Sequence, residues 1–143
     1  MGLLSEFFLA ESDYAASRYH AQPEGSADEL RSCWKGITSV EAGMLLAVLR
    51  GEDPAEAWGE DIRGIDPGGE EEAWLFALPP DFAQLLSAQD PASFTPKAWE
   101  QLAGLEEWAA WTEEELGAVA ADLVRLSQVG THRGLSMYLQ VSL

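Results

Sequence analysis

The strictest alternation of apolar and polar residues lies in the last nine residues of the chain. From position 135 to position 143 every odd residue is Leu, Met or Val, and every even residue is Ser, Tyr or Gln. Side chains of a β-strand point alternately to its two faces, so this pattern predicts a strand with one apolar face. Two other runs, residues 3–10 and 73–78, are short, apolar and aromatic, and they also predict strands.

A helix is predicted after Thr38. Thr38 and Glu41 have the spacing of a capping box, in which each side chain accepts a backbone N–H at the helix start. The apolar residues at positions 40, 44, 45, 48 and 49 then follow helical spacing. Gly51 comes next, and it is expected to end the helix because glycine readily adopts the left-handed conformation.

A longer helix is predicted in the last third of the chain. Thr112 and Glu115 form a second capping-box pair, and apolar residues at positions 116, 119, 120, 123 and 126 form one stripe. Gly130 is expected to end this helix. The segment from Thr131 to Gly134 is then expected to be a turn that leads into the last strand.

Weaker signals predict shorter helices and a loop. The pair Ser26 and Glu29 predicts a short helix that carries Leu30, Cys33 and Trp34. Residues 59–69 are rich in Gly, Asp and Pro and are expected to form an exposed loop or a pair of turns. The remaining short helices are expected after Ser12, after Asp53-Pro54, over residues 81–88, and after Thr95-Pro96.

These elements describe one α+β domain over residues 1–143. The predicted order is strand, helices, strand, helices, strand, so we expect a small sheet of about three or four strands packed against several helices. A chain of 143 residues has the usual size of a single domain. No stretch has the length or composition of a linker between two domains.

The charge of the chain restricts its partners. Asp and Glu number 25 against 8 Lys and Arg, which gives a formal net charge of −17. Nucleic acids and anionic membranes bind proteins through Lys and Arg, so neither is expected as a partner. A basic protein would be attracted. The alternative is that the acids only keep the protein soluble.

The acids are densest between residues 52 and 72, where nine of them are opposed by Arg63 alone. This segment is interpreted as a docking surface for a basic protein, with Trp58 as its aromatic anchor. The alternative is a solvated loop. The spacing of the carboxylates does not match a calcium-binding EF-hand loop. The candidate partner-binding residues are Trp58, Glu60, Asp61, Asp66, Glu70, Glu71 and Glu72.

No known catalytic pattern is present, so no catalytic, cofactor-binding or metal-ligating residue is predicted. The chain has one cysteine, Cys33, which excludes an intramolecular disulfide. A candidate polar cluster consists of His132, Arg133 and Tyr138, which could contact an anion or a carboxylate. The alternative is that the first two complement the negative end of the preceding helix.

Six tryptophans suggest either a ligand pocket or core packing. Three of them, at positions 99, 108 and 111, lie close together before the long helix. Core packing is the ordinary role of such residues, with some indole N–H groups at the edge of the core. A pocket lined by tryptophan would instead indicate a small enzyme or a ligand-binding protein.

Three features resemble a known family: residues 1–4 running into Phe7-Phe8, the helix end over residues 45–51, and the closing capped helix with its apolar strand. Small bacterial proteins of the YfbM-like kind, a domain of unknown function, share these features. Arg50 departs from the pattern, since threonine is common at that position. The resemblance implies a bacterial α+β protein of the cytoplasm, and it transfers no catalytic residue, since the family has no established activity.

The start of the chain has neither a basic region nor a long apolar run, so a secretory signal is not expected. No run reaches the length needed to cross a bilayer, and a cytoplasmic protein is expected. The absence of catalytic patterns and the acidic charge together favour a non-catalytic domain that binds a basic protein. An immunity protein or an inhibitor is a specific form of this function. The pattern does not determine whether the chain is a monomer or a homodimer.

Overall fold

The computed structural model describes residues 3–21, 28–57, 61–65 and 73–142. These residues contain five strands: β1 (Leu4–Ala10), β2 (Arg31–Lys35), β3 (Arg63–Ile65), β4 (Ala73–Ala77) and β5 (Ser136–Ser142). They also contain five α-helices: α1 (Asp13–Ala21), α2 (Ser39–Arg50), α3 (Pro80–Ser87), α4 (Pro91–Leu102) and α5 (Glu113–Arg133). Short 3₁₀ turns lie at Asp28–Leu30, Pro54–Glu56 and Glu106–Trp108.

The five strands form one antiparallel sheet in the order β2-β1-β5-β4-β3. The three predicted strands are its three central members, β1, β5 and β4. Leu139 of β5 lies at the middle, opposite Phe7 of β1 on one side and Phe76 of β4 on the other. The α+β class is therefore confirmed, whereas the expected count of three or four strands is too low.

The two missed strands are the edges of the sheet. Residues 31–35 form β2 and not the helix that Ser26 and Glu29 predicted. Pairing with β1 supplies hydrogen bonds that a local capping signal cannot reveal, and it places Ser32 on the buried side. At the other edge, β3 has three residues, and it lies in the segment where a loop was expected.

Four helices, α2 to α5, cover one face of the sheet and share its main core with β1 and β5. The predicted capping box of α2 is confirmed: the Thr38 and Glu41 side chains each accept backbone N–H groups. Gly51 ends this helix with φ 74°, in the left-handed region as expected. The Thr112–Glu115 box at the start of α5 is confirmed as well.

Helix α5 continues beyond its predicted end. It runs through Gly130 to Arg133, and Gly134 ends it with φ 68°. At Gly130 a Cβ atom would lie 2.9 Å from Leu9 Cδ2 and 3.2 Å from the Leu135 carbonyl oxygen. Glycine stands at this position because helix and strand approach closely there, not because the helix ends.

The start of α4 also differs from the prediction. Thr95 and Pro96 lie inside the helix, and Asp90 caps it by accepting the Ala92 N–H at 3.2 Å. Asp90-Pro91 is the same kind of start signal as Thr95-Pro96, five residues earlier in the chain. The earlier signal prevails, and Pro96 is accommodated within the helix.

In the described ranges, one helix, α1, packs on the opposite face of the sheet. Its buried cluster is small and contains Phe8, Ala10, Ala16, Leu75, Ala77 and Tyr138. The predicted cap is confirmed, since Ser12 Oγ accepts the Ala15 N–H at 3.2 Å. The even-numbered face of β5 is thus covered at Tyr138, which is 3% exposed, and is not open as the alternation alone suggested.

Candidate functional site: a carboxylate-rimmed cavity beside α2

A cavity lies between α2 and the segments that follow it. Its volume is about 350 Å³, and its apolar wall contains Leu46, Ala47 and Ile62. Carboxylates stand around this wall. They belong to Glu52, Asp53, Glu56 and Asp61.

Local sequence rules place these groups. Gly51 turns the chain at the end of α2, which brings the next residues back over the helix. Asp53 then accepts the Ala55 N–H at 3.0 Å and starts the 3₁₀ turn at Pro54–Glu56. Pro54 fits the first position of that turn, where a backbone N–H is not needed. The carboxylates around the apolar wall form the rim of the cavity. Most of the rim is therefore positioned by Gly51, which ends α2, and by the capped turn that follows it.

Among the described residues of the cavity wall, Arg50 is the one basic residue. Its Nε and Nη2 donate to Asp81 of α3 at 2.7 Å and 3.0 Å, and its Nη1 donates to Asp61. These carboxylates raise the pKa of the Arg50 guanidinium, and the hydrogen bonds from Arg50 hold the pKa of Asp81 below its ordinary value. Arg50 thus ties the end of α2 to α3 and to the segment around residue 61.

The charge of the cavity is negative even with Arg50 present. Two carboxylates already engage the guanidinium through three of its N–H groups. Glu52 lies 3.9 Å from Arg50 Nη1 and leaves 63% of its side chain exposed. Neither Asp53 nor Glu56 has a basic partner among the described residues. The site therefore offers exposed carboxylates beside an apolar wall, an arrangement suited to a cation on an aliphatic stem.

Only part of the predicted docking segment falls within the described residues. Asp61 does, and it lies in the cavity wall as a partner of Arg50. The other candidates lie outside them: Trp58, Glu60, Asp66, Glu70, Glu71 and Glu72. Sequence reasoning did not assign a role to Arg50, and helix-end position alone gave no signal that it would bridge two distant aspartates.

The candidate polar cluster is distributed over separate contacts. Arg133 donates to Glu29 at 3.1 Å from the last turn of α5, and His132 is exposed in the same turn. Tyr138 lies under α1 and donates to Asp13 at 2.9 Å. None of the hydrogen bonds or ion pairs within the described segments joins two of the three side chains. His132 and Arg133 lie where a helix's negative end favours positive groups.

Asp13 links α1 to two strands. Its carboxylate accepts Arg63 Nη2 at 2.8 Å in addition to the Tyr138 hydroxyl. These hydrogen bonds lower the pKa of Asp13, and the bond from Arg63 has the larger effect. Burial, with the bond to Asp13, raises the pKa of Tyr138 to about 12. The Tyr138 hydroxyl therefore stays protonated and has a structural role in holding α1.

Four of the five tryptophans that the structure describes pack within or against the main core. Trp108 is fully buried and its ring lies 5.2 Å from that of Trp111. Trp34, Trp99 and Trp111 pack against the main core, and Trp74 is 52% exposed. The wall of the cavity beside α2 contains no tryptophan from the described segments. Three or more potential metal ligands do not converge anywhere in the described residues.

The comparisons with known proteins add no relative: no family model, curated protein or solved structure matches the chain. The resemblance to the YfbM-like proteins therefore stays a prediction. Among the described helices, none has the length and apolar character needed to cross a membrane.

Proposed function

We propose that this protein is a non-catalytic interaction domain that binds a basic partner protein at the cavity beside α2. The observation that carries the proposal is the set of exposed carboxylates around an apolar wall. A lysine or arginine side chain matches both parts, because its aliphatic stem can lie on Leu46 and Ile62 while its charged end reaches the rim.

The overall charge supports the same class of partner. A net charge of −17 accelerates the approach of a basic protein by long-range attraction. Rim charges of this kind act mainly on association and on its salt dependence, whereas the contact with the apolar wall acts on dissociation. Binding is therefore expected to weaken as salt rises, without disappearing at the salt of the cell.

The non-catalytic part of the proposal rests on the described titratable groups. The shifted pKa values of three of them have local structural causes. The hydrogen bonds from Arg50 lower the pKa of Asp81, those from Arg63 and Tyr138 lower the pKa of Asp13, and burial with the bond to Asp13 raises the pKa of Tyr138. None of these pairs holds a nucleophile beside a general base in an open cleft, which is the usual arrangement of an active site. Turnover in a broad substrate screen would contradict this part.

The test uses a blocked peptide in which lysine and leucine alternate, followed by amide chemical shifts of the full chain. The peptide should shift the amides of Ala47 and Ile62, which lie in the cavity wall. Replacing Glu52 and Glu56 by glutamine removes two exposed rim charges without a change in side-chain length. We expect that double variant to bind the peptide about tenfold more weakly at low salt.

The matched control changes Glu11 and Glu100 to glutamine. Both are exposed and lie outside the cavity wall, so this variant has the same net charge as the test variant. Equal affinities of the two double variants would show that only the total charge matters, and would contradict the site. An acidic peptide that shifts the same amides equally well would contradict the class of partner.

In its most specific form the proposal is that the domain neutralises a basic toxin or enzyme, as an immunity protein or inhibitor does. Small size and negative charge support this form. If a basic toxin is encoded beside this gene, co-expression of the two should protect cells, and the Glu52 and Glu56 double variant should protect less than the control variant. Protection that is equal with both variants would contradict a role for the cavity.

A further inference from the structure

Strand β2 is one edge of the sheet that the described residues form. The hydrogen bonds on its inner side define its outer side. Just beyond the strand, and in the same register with β1, the Gly36 N–H donates to the Leu3 carbonyl at 2.9 Å. Hydrogen-bonding positions alternate along an antiparallel pair. The residues whose backbone N–H and C=O groups point away from β1 are therefore Arg31, Cys33 and Lys35.

Arg125 of α5 covers the beginning of this outer side. Its Nη2 donates to the Arg31 carbonyl at 3.0 Å, and its Nη1 donates to the Glu29 carbonyl at 3.0 Å. Asp122, which lies one turn earlier in α5, accepts the Arg125 Nε–H at 2.7 Å and holds the guanidinium in place. A neighbouring strand would offer the Arg31 carbonyl a backbone N–H, and Arg125 supplies a side-chain donor in its place.

The two edges of the sheet differ in how much they expose. An edge strand is a template on which another chain can pair. Strand β3 has three residues, which makes it a short template, whereas β2 has five. The longer edge therefore has the greater need of protection.

The net charge protects the β2 edge poorly. A charge of −17 makes two copies of the chain repel each other. However, half of the eight basic residues of the chain lie on or beside β2. They are Arg31, Lys35, Arg125 and Arg133. Repulsion between acidic surfaces is therefore least effective at this edge.

The outward positions determine how two β2 edges would pair. The longest antiparallel register places Cys33 opposite Cys33 of the second copy, and Arg31 opposite Lys35 of the second copy. The Lys35 N–H of the second copy would then donate to the Arg31 carbonyl, which Arg125 already engages. Two like charges would also lie directly opposite each other, which is unfavourable. Both features oppose the same pairing.

We infer that Arg125 and Lys35 guard the β2 edge and prevent a second copy of this chain from extending the sheet. Arg125 engages the acceptor that the second strand needs, and Lys35 places a positive charge opposite Arg31. The guard acts between copies of the chain. It does not depend on the basic partner or on the cavity beside α2.

The test measures self-association of the full chain by sedimentation velocity in reducing buffer, with enough salt to screen the net charge. Arg125→Met removes the donors and keeps a long unbranched side chain. We expect it to strengthen dimer formation by about tenfold, because each copy regains a backbone hydrogen bond to the other. Arg133→Met is the matched control, since it changes the charge equally and removes only a side-chain contact with Glu29.

A second variant leaves Arg125 in place. Lys35→Glu turns the two like-charge pairs of the dimer into opposite-charge pairs, and we expect it to strengthen dimer formation by about threefold. Lys97→Glu is the matched control, because Lys97 is also exposed and the net charge of the two variants is the same. The combination of Arg125→Met with Lys35→Glu should dimerise most strongly.

Cys33 reports the register of the dimer. It is exposed, and in the expected pairing its Cα atom lies about 5.5 Å from that of the second copy, within the range of a disulfide. A mild oxidant should therefore cross-link Arg125→Met through Cys33 faster than it cross-links Arg133→Met. An Arg125→Met dimer without this acceleration would show that another surface associates, and would overturn the proposal.

Three further results would contradict the guard. One is equal self-association within both matched pairs of variants. Another is a dimer of the unaltered chain that cross-links through Cys33 as readily as the variants do. The third concerns the Ser32 and Trp34 amides, which face β1: if Arg125→Met loses their protection from hydrogen exchange, Arg125 supports the strand itself. That loss would overturn the part assigned to Arg125, and Lys35→Glu would still test the part assigned to Lys35.

Discussion

The two faces of the sheet are held by different forces. On one face, α2 to α5 bury a large apolar core that includes Phe7. On the other face, α1 covers a small cluster that includes Phe8, and its polar contacts lie near both of its ends. Asp13 bonds Tyr138 and Arg63 at the start of the helix, and Tyr19 donates to Glu6 near its end. The first face depends on buried area, and the second depends also on the charge of two carboxylates.

The largest expected effect compares two adjacent phenylalanines. Phe7 is 0% and Phe8 is 1% exposed, but their side chains point to opposite faces. We expect Phe7→Ala to lower the free energy of unfolding by about 3–5 kcal/mol. Phe8→Ala should lower the free energy of unfolding by less, about 2–3 kcal/mol. The single helix α1 can shift to fill the space more readily than four packed helices can. Urea unfolding measures both, and equal costs would show that the faces do not differ.

The next effect compares two glycines of α5. Gly130→Ala places a methyl group against Leu9 and the Leu135 carbonyl, on the well-packed side of the sheet. It should destabilise the protein by about 1–3 kcal/mol, as overpacking does. At Gly117 an added Cβ would lie 3.4 Å from the Thr95 methyl group, an ordinary contact, so Gly117→Ala should instead stabilise the protein by about 0.5–1 kcal/mol. Stability changes of the same sign in the two variants would contradict the difference in packing along the helix.

A smaller effect is expected on the α1 face. Tyr138→Phe removes the hydrogen bond to Asp13 and should lower the free energy of unfolding by about 0.5–1.5 kcal/mol. Tyr14 in α1 is 71% exposed and has no hydrogen bond in the described segments, so Tyr14→Phe is the control. The control should leave the unfolding midpoint unchanged. An equal loss of stability in Tyr14→Phe would show that the hydrogen bond between Tyr138 and Asp13 has no special role.

The smallest effect is a pH dependence of α1. The folded-state pKa of Asp13 lies below its ordinary value of 3.8, so this group stabilises the fold above that value. The stabilisation is lost as pH falls below 3.8 through the folded-state pKa. Tyr138 acts at the alkaline end of the pH range. Its contribution to stability is complete below the ordinary tyrosine pKa of 10.0 and is lost as pH rises through its folded-state pKa of about 12.

Hydrogen exchange of the Ala16 amide reports this local change, because that N–H donates to the Ser12 carbonyl at the start of α1. Exchange at Ala16, corrected for the intrinsic effect of pH, should accelerate in acid before exchange at Leu123 in the main core does. In Asp13→Asn the two amides should lose this difference in acid sensitivity. Parallel behaviour of both amides in the unaltered protein would show that α1 opens only with the whole domain.

Local signals in the sequence predicted much of the fold. The two threonine capping boxes, the alternation in β5 and the apolar run of β4 all depend on neighbouring residues, so they are readable without a structure. Signals that compete over a few residues were less reliable. Thr95-Pro96 and Asp90-Pro91 both mark a helix start, and only packing shows that α4 begins at the earlier one.

Less of the candidate site was predictable. The acidic segment pointed toward the region of the first cavity, and Asp61 lies in its wall. The pairing of Arg50 with Asp81 joins residues 31 positions apart, so no local pattern reveals it.

The sequence by itself determined the acidic charge, the α+β class and the positions of three central strands and several helix starts, because each follows from composition or from contacts within one element. The tertiary structure decided that residues 31–35 form an edge strand and that α5 passes through Gly130. Those outcomes depend on contacts between distant segments: pairing with β1 outweighs a local helix signal, and the close approach of Leu9 requires a glycine that would otherwise end a helix.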